Sequence, residues 1–327
     1  MQDSGHDIIV IGASAGGVEA LTGLVSKLPA DLPAAIFVVV HIGRHHTSSL
    51  PEILARAGSL PAEHALDQTP IERGKIYVAL PDHHLLLEKD RVRVTHGPKE
   101  NRNRPAIDPL FRSAAWSFGP RVAGIVLSGT LDDGAAGLWA IKTCGGTSIV
   151  QDPGEAKFSG MPTSALLYSK VDHCKPIDQI APLLVQLAHE TAHDHGRPTE
   201  AVQAETEMNK RESEIDQMNR VGDLSAFTCP GCGGALWEVN DGGILRYRCH
   251  VGHAFSSDSL IDEQTEFIEK AVYTALRALK EKADIVRRVA GQFAGRHPDL
   301  ESRYVGRVRE LEEASDVLRG LLHSGKA

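Results

Sequence analysis

Residues 6–25 read HDIIVIGASAGGVEALTGLV, and this stretch decides the fold. The run from Asp7 to Ile11 is short, β-branched and apolar without alternation, the pattern of a strand covered on both faces. Gly12-Ala13-Ser14-Ala15-Gly16-Gly17 follows as a turn of small residues, and a helix-spaced pattern begins near Val18. In this strand–turn–helix setting G-x-S-x-G has the nucleophile-elbow form. Small neighbours let a sharp turn raise the Ser14 hydroxyl above the sheet, beside the first amides of the helix. Those amides would stabilise an anionic tetrahedral intermediate. A nucleotide-phosphate turn is the competing reading, but the next strand ends in His41 and offers no acidic tip to receive a ribose.

Outward from this stretch, AAIFVVVH (34–41), KIYVAL (75–80), RVAGIVLSG (121–129) and TSIVQ (147–151) repeat the strand pattern. Amphipathic segments such as VEALTGLVSKL (18–28) and PLFRSAAWSFG (109–119) separate many of them. The rhythm predicts an α/β fold with a doubly wound, mostly parallel sheet over residues 1–190. HHLLLEKDRVRVTHG (83–97) reads instead as an antiparallel hairpin. Open α/β sheets bind ligands at the carboxyl ends of their strands. Ser14 and His41 fall at two such ends, and Thr130-Leu131-Asp132-Asp133-Gly134 brings two carboxylates to a third. Serine needs a base, and the base needs a carboxylate to fix its tautomer. The chain order Ser…His…Asp differs from the Ser…Asp…His of ordinary α/β-hydrolases.

Five segments in order, IGASAGGVEAL, VVVHI, HGPKENRNRPAIDPLFRSAA, LSGTLDDGAAG and FSGMPTSAL, closely resemble the catalytic domain of the CheB chemotaxis methylesterases. The resemblance implies that Ser14 is the nucleophile, His41 the general base and acid, and Asp133 the orienting carboxylate, with Asp132 as the fallback. It further implies a serine esterase that hydrolyses glutamate γ-methyl esters on chemoreceptors, with glutamine deamidation as a related activity and no cofactor for catalysis. The amides of Ala15 and Thr130 are candidates to hold the oxyanion, and Asn103 and Arg104 to line the cleft. The expected partners are the cytoplasmic domains of methylated chemoreceptors, together with a methyltransferase or regulatory protein. Three departures from the family stand out. This sequence enters the catalytic pattern almost at residue 1, without the usual receiver domain, and it carries Ala15 for a common Thr and Thr130-Leu131 for a common Met-Gly. A signalling adaptor that keeps the fold without the catalysis is the alternative.

The remaining sequence divides by composition. Residues 191–225 are charge-rich and poor in large apolar groups, which predicts a charged linker or a solvated helix rather than core. At 226–258, Cys229-x2-Cys232-x16-Cys249-x3-His253 has the spacing of a zinc-ribbon-like site. Four protein ligands would make that metal structural; His250 is the rival fourth ligand. Residues 259–327 predict a helical hairpin broken at Gly295-Arg-His-Pro298. Cys144 and Cys174 read as ordinary thiols, and His45, His46, His83 and His84 as solvated or structural. The net charge of −8 argues against a nucleic-acid surface. The N-terminal residues lack a leader pattern and the apolar runs are too short to span a bilayer, so a cytoplasmic protein without membrane insertion is expected.

Overall fold

The computed structural model describes residues 5–41, 48–192, 199–209, 215–241 and 243–324. Its packing forms two units, residues 1–260 and 261–327.

The first unit opens with nine strands: β1 (Ile8–Ala13), β2 (Ala35–Val40), β3 (Ala62–His64), β4 (Lys75–Val78), β5 (His84–Leu87), β6 (Val92–Thr95), β7 (Val122–Val126), β8 (Thr147–Gln151) and β9 (His173–Lys175). Six helices alternate with them: α1 (Gly17–Val25), α2 (Leu50–Ala57), α3 (Ile107–Phe118), α4 (Ala135–Thr143), α5 (Gly160–Tyr168) and α6 (Ile177–His189). Seven strands form one sheet in the order β3-β4-β2-β1-β7-β8-β9, and every pairing is parallel. The expected hairpin is the antiparallel pair β5–β6.

The unbroken apolar runs follow from burial on both faces. Ile8 and Val10 of β1 point into one core with Phe37, Val39, Leu110 and Phe111. Ile9 and Ile11 point into the other with Ile36, Val38, Leu24 and Leu54. Successive residues of a strand face opposite sides, so two helical layers need apolar residues at every position. Helix α3 lies so close to β1 that a side chain at Gly12 would come within 2.3 Å of Ile107.

Residues 191–225 depart from the expectation in their burial. The stretch read as a charged linker or solvated helix contains α7 (Glu200–Met208) and α8 (Ile215–Val221), and Val202, Glu205, Thr206 and Met208 are buried. A four-stranded antiparallel sheet follows, formed by β10 (Asp223–Thr228), β11 (Ala235–Asp241), β12 (Ile244–Cys249) and β13 (Ala254–Ser256). This ribbon belongs to the same packing unit as the large sheet. Charge pairing is the physical reason. Glu205 on α7 and Glu100 before α3 are both fully buried among Arg112, Arg246 and Arg248, with contacts of 2.5–3.4 Å. Burial opposes their ionisation, but the surrounding guanidinium groups hold both carboxyls below the usual range.

Helices α9 (Ser257–Phe293) and α10 (Pro298–Ser324) supply the hairpin, with Gly295 at φ +71° in the turn between them. Phe293 stacks on Tyr304, and Arg287 of α9 pairs with Glu312 of α10 at 2.7 Å. No described helix is long and apolar enough to cross a membrane.

Candidate active site

Strands β2, β1 and β7 are neighbours, so their carboxyl ends lie side by side about 4.8 Å apart. Ser14 follows β1, His41 follows β2, and Asp133 lies in the loop after β7. The three side chains meet. His41 Nδ1 lies 3.1 Å from Ser14 Oγ, and His41 Nε2 lies 2.8 Å from Asp133 Oδ2. With the carboxylate at Nε2 the ring proton resides there, leaving the Nδ1 lone pair toward the serine. The His41 side chain is 12% exposed and that of Asp133 only 2%, so the imidazole bridges a dry carboxylate and an accessible hydroxyl.

Asp133 is heavily supported. Its Oδ2 also accepts from the Ile107 amide at 2.7 Å, while Oδ1 accepts from Asn101 Nδ2 at 2.9 Å and from the Asp108 amide at 3.2 Å. Burial would raise this carboxyl, but the His41 contact and the other donors bring it below its ordinary value. Asp108, beside it, goes the other way: burial and the charge of Asp133 push it up to about 7. Asp132 takes no part in the contact with His41. It accepts from Ser256 Oγ at 2.8 Å, and burial raises it to about 6.

The turn that carries Ser14 is fixed from its floor. The Ser14 amide donates to the Ser128 carbonyl, the Gly129 amide to the Phe158 carbonyl, and Ser128 Oγ to the Ala15 carbonyl. Among the described residues the amides of Ala15 and Thr130 have no backbone acceptor. A side chain at Gly129 would meet Ser14 Cβ at 2.9 Å and Met161 Sδ at 2.1 Å, so only glycine lets the two turns approach. Leu131 sits at φ +63° and is 37% exposed, a strained apolar residue on the rim. Neither Asn103 nor Arg104 bonds the three central side chains among the described residues. Asn103 Nδ2 donates to the Asn101 carbonyl, and Arg104 is held by Asp82 at 2.8 Å and by the Gly97 carbonyl.

Of the other histidines, His84 is buried with Nε2 2.8 Å from the Pro98 carbonyl, and His83 packs edge-on to His96. His45 and His46 lie outside the described residues. Cys144 is buried, which pushes its thiol up to about 11. Asn101, Asp108, Ser128 and Ser256 were not singled out in the sequence. Ser128 alone leaves a signal there, as a polar residue closing an apolar strand.

In the ribbon, Cys229, Cys232, Cys249 and His253 bring one potential ligand atom each within 4.8 Å of the others. Sγ of Cys232 lies 3.7 Å from Sγ of Cys249, and His253 Nδ1 lies 3.7 and 3.6 Å from Sγ of Cys229 and Cys249. His250 is outside this group of four.

Comparison with known proteins gives the family of this fold. The family model described as CheB methylesterase matches residues 9–184. A Leptospira interrogans protein, provisionally named protein-glutamate methylesterase/protein-glutamine glutaminase, is 37% identical over 183 residues, 56% of this chain and 95% of that protein. An Anaeromyxobacter dehalogenans protein-glutamate methylesterase/protein-glutamine glutaminase is 37% identical over 181 residues, 55% of this chain and 53% of its own length. The crystal structure of the Thermotoga maritima CheB methylesterase catalytic domain superposes with a TM-score of 0.54 at 32% identity, covering 55% of this chain and 98% of that one.

Proposed function

Because the chain belongs to the CheB methylesterase family, we propose that it hydrolyses the γ-methyl esters of protein glutamate residues and deamidates glutamine, with Ser14, His41 and Asp133 as its catalytic set. The observation that carries this reading is the continuous contact from Asp133 through His41 to Ser14. His41 Nδ1 takes the hydroxyl proton as Ser14 Oγ attacks the ester carbonyl, and Asp133 stabilises the imidazolium that forms. The amides of Ala15 and Thr130 hold the oxyanion. Collapse of the intermediate expels methanol, which takes the proton from His41. Water, deprotonated by His41 in turn, then releases the glutamate carboxylate and regenerates Ser14. The substrates are methylated cytoplasmic helices of chemoreceptors. A fluorophosphonate probe is expected to label Ser14, and labelling to vanish in Ser14→Ala. Retained labelling in that variant, or no methanol release from methylated receptor peptides by the unaltered protein, would overturn the reading.

For the ribbon we propose one structural zinc ion on Cys229, Cys232, Cys249 and His253. A tetrahedral site with Zn–S of about 2.3 Å and Zn–N of about 2.0–2.1 Å has S···S edges of about 3.8 Å and S···N edges of about 3.6 Å. The separations of 3.6–3.7 Å in the chain fit these edges. Four protein ligands leave no position for a substrate water, so the ion would hold the fold. Metal analysis should find about one zinc per chain, lost in Cys232→Ser and kept in His250→Ala.

A further inference from the structure

Ser256 of the ribbon lies more than 100 residues after Asp133 in sequence, yet one side chain joins them. Asn101 is buried, and its Nδ2 donates both to Asp133 Oδ1 at 2.9 Å and to Asp108 Oδ2 at 2.8 Å. Its Oδ1 faces the opposite way and accepts from the backbone amide of Ser256 at 3.0 Å. An Asn amide carries an acceptor on one side and donors on the other, so its neighbours decide which side faces which. The Ser256 N–H can only donate. It therefore fixes the Asn101 oxygen toward the ribbon and the NH2 group toward the two carboxylates. Turned over, the amide would set its oxygen against Asp108 and Asp133 and its NH2 group against another donor.

Two ribbon residues, Ala254 and Ser256, also hold the surrounding backbone. The Asn101 amide donates to the Ala254 carbonyl at 2.8 Å, and the Ala254 amide donates to the Lys99 carbonyl at 3.3 Å. Ser256 Oγ donates to Asp132 Oδ1 at 2.8 Å and accepts from the Ser259 amide at 3.1 Å, so Ser256 grips Asn101 and the residue beside Asp133 together. Residue 254 directly follows His253, whose carbonyl accepts from the Cys249 amide at 2.9 Å. The Cys/His turn thus ends where the clamp begins.

We propose that the ribbon completes the active site: Ala254–Ser256 clamp Asn101 so that its amide donates to Asp133, which makes Asn101 and Ser256 positioning residues for ester hydrolysis. The inference rests on the assignment of Ser14, His41 and Asp133 as the catalytic set. It assigns the ribbon a role in turnover. A hydrogen bond to a charged group is worth about 1.5–3 kcal/mol, equivalent to about 10- to 100-fold in rate where the bond matters to the transition state.

The test uses the full chain with a methylated receptor peptide, following methanol release. Asn101→Ala is expected to lower kcat about 10- to 100-fold, and Ser256→Pro, which removes the backbone N–H that orients Asn101, about tenfold, each with KM within about twofold of the unaltered protein. Ser256→Ala keeps that N–H and loses only the hydroxyl, so it is expected to turn over several-fold faster than Ser256→Pro, which a general loosening of the ribbon would not predict. Should either Asn101→Ala or Ser256→Pro fail to fold by circular dichroism, the other carries the test. The inference falls if the unaltered protein turns over and the folded variant of this pair keeps kcat within twofold, or if only KM changes, or if Ser256→Ala is as slow as Ser256→Pro. Absence of turnover and of Ser14 labelling in the unaltered protein would instead remove the catalytic assignment itself.

Discussion

Replacing Asp133 by Asn changes one atom in the buried carboxyl, and the surroundings fix the consequence. Among the described residues, all four polar contacts of the Asp133 carboxylate come from N–H donors: Ile107 N and His41 Nε2 on Oδ2, Asn101 Nδ2 and Asp108 N on Oδ1. An Asn NH2 group must therefore point at donors whichever way it turns. Set at the Oδ2 position, it can be satisfied only by donating to His41 Nε2. The ring proton is then forced onto Nδ1, where it faces Ser14 and blocks deprotonation of the hydroxyl. Set at the Oδ1 position, it opposes the amide of Asn101 and the Asp108 N–H, leaving buried donors unsatisfied at about 1–3 kcal/mol each. The first arrangement is the less costly, because it leaves only the Ile107 N–H unsatisfied and a neutral imidazole can change tautomer. Loss of the productive tautomer lowers turnover by about 10⁴, equivalent to about 5.4 kcal/mol of barrier. Methanol release from methylated receptor peptides and the rate of fluorophosphonate labelling should both fall by this order. The parallel substitution Asp132→Asn should cost less than about tenfold, since Asp132 contacts Ser256 and not His41. Turnover of Asp133→Asn within tenfold of the unaltered protein, or a larger loss in Asp132→Asn, would refute the assignment.

Three further outcomes are expected. Glu205→Ala takes a buried carboxylate away from Arg246, Arg248 and Arg112, leaving Glu100 to face the last two, and should cost about 3–5 kcal/mol in urea denaturation; a loss below about 1 kcal/mol would show that α7 does not secure the ribbon. Gly129→Ala drives a methyl group into Ser14 Cβ and Met161 Sδ, and since misplacement of about 1 Å can cost 10²-fold, kcat should drop at least that far; unchanged kcat would mean that the turn yields freely. Burial raises Asp132 to about 6, whereas the unfolded chain titrates near 3.9. The folded state binds that proton more tightly, so this contribution is full below about pH 4 and is lost as pH rises through about 6. Asp132→Asn should therefore flatten the pH dependence of thermal stability across that window by up to about 3 kcal/mol; an unaltered profile would place the titration elsewhere.

The sequence by itself determined the parallel α/β core and the residue types at its rim. Both are written in local patterns: uninterrupted apolar runs such as Ile8–Ile11 require cover on two faces, and an elbow of small residues around Ser14 requires a sharp turn. It also carried the Cys/His spacing, because metal-ligand pairs are short-range motifs. Three strand ends could be named, but only the order β2-β1-β7 made them neighbours, since strand order is set by pairing across the sheet. The choice of Asp133 over Asp132 likewise belongs to the tertiary structure, in which one carboxyl faces His41 and the other faces Ser256. The charge-rich stretch after residue 190 was misleading for a related reason. Composition reports that Glu205 is charged, and three arginines from other elements are what allow it to be buried. Asn101 carries no local signature at all: its role depends on which neighbours face its oxygen and which its nitrogen, and those neighbours come from the turn after β7, from α3 and from the ribbon.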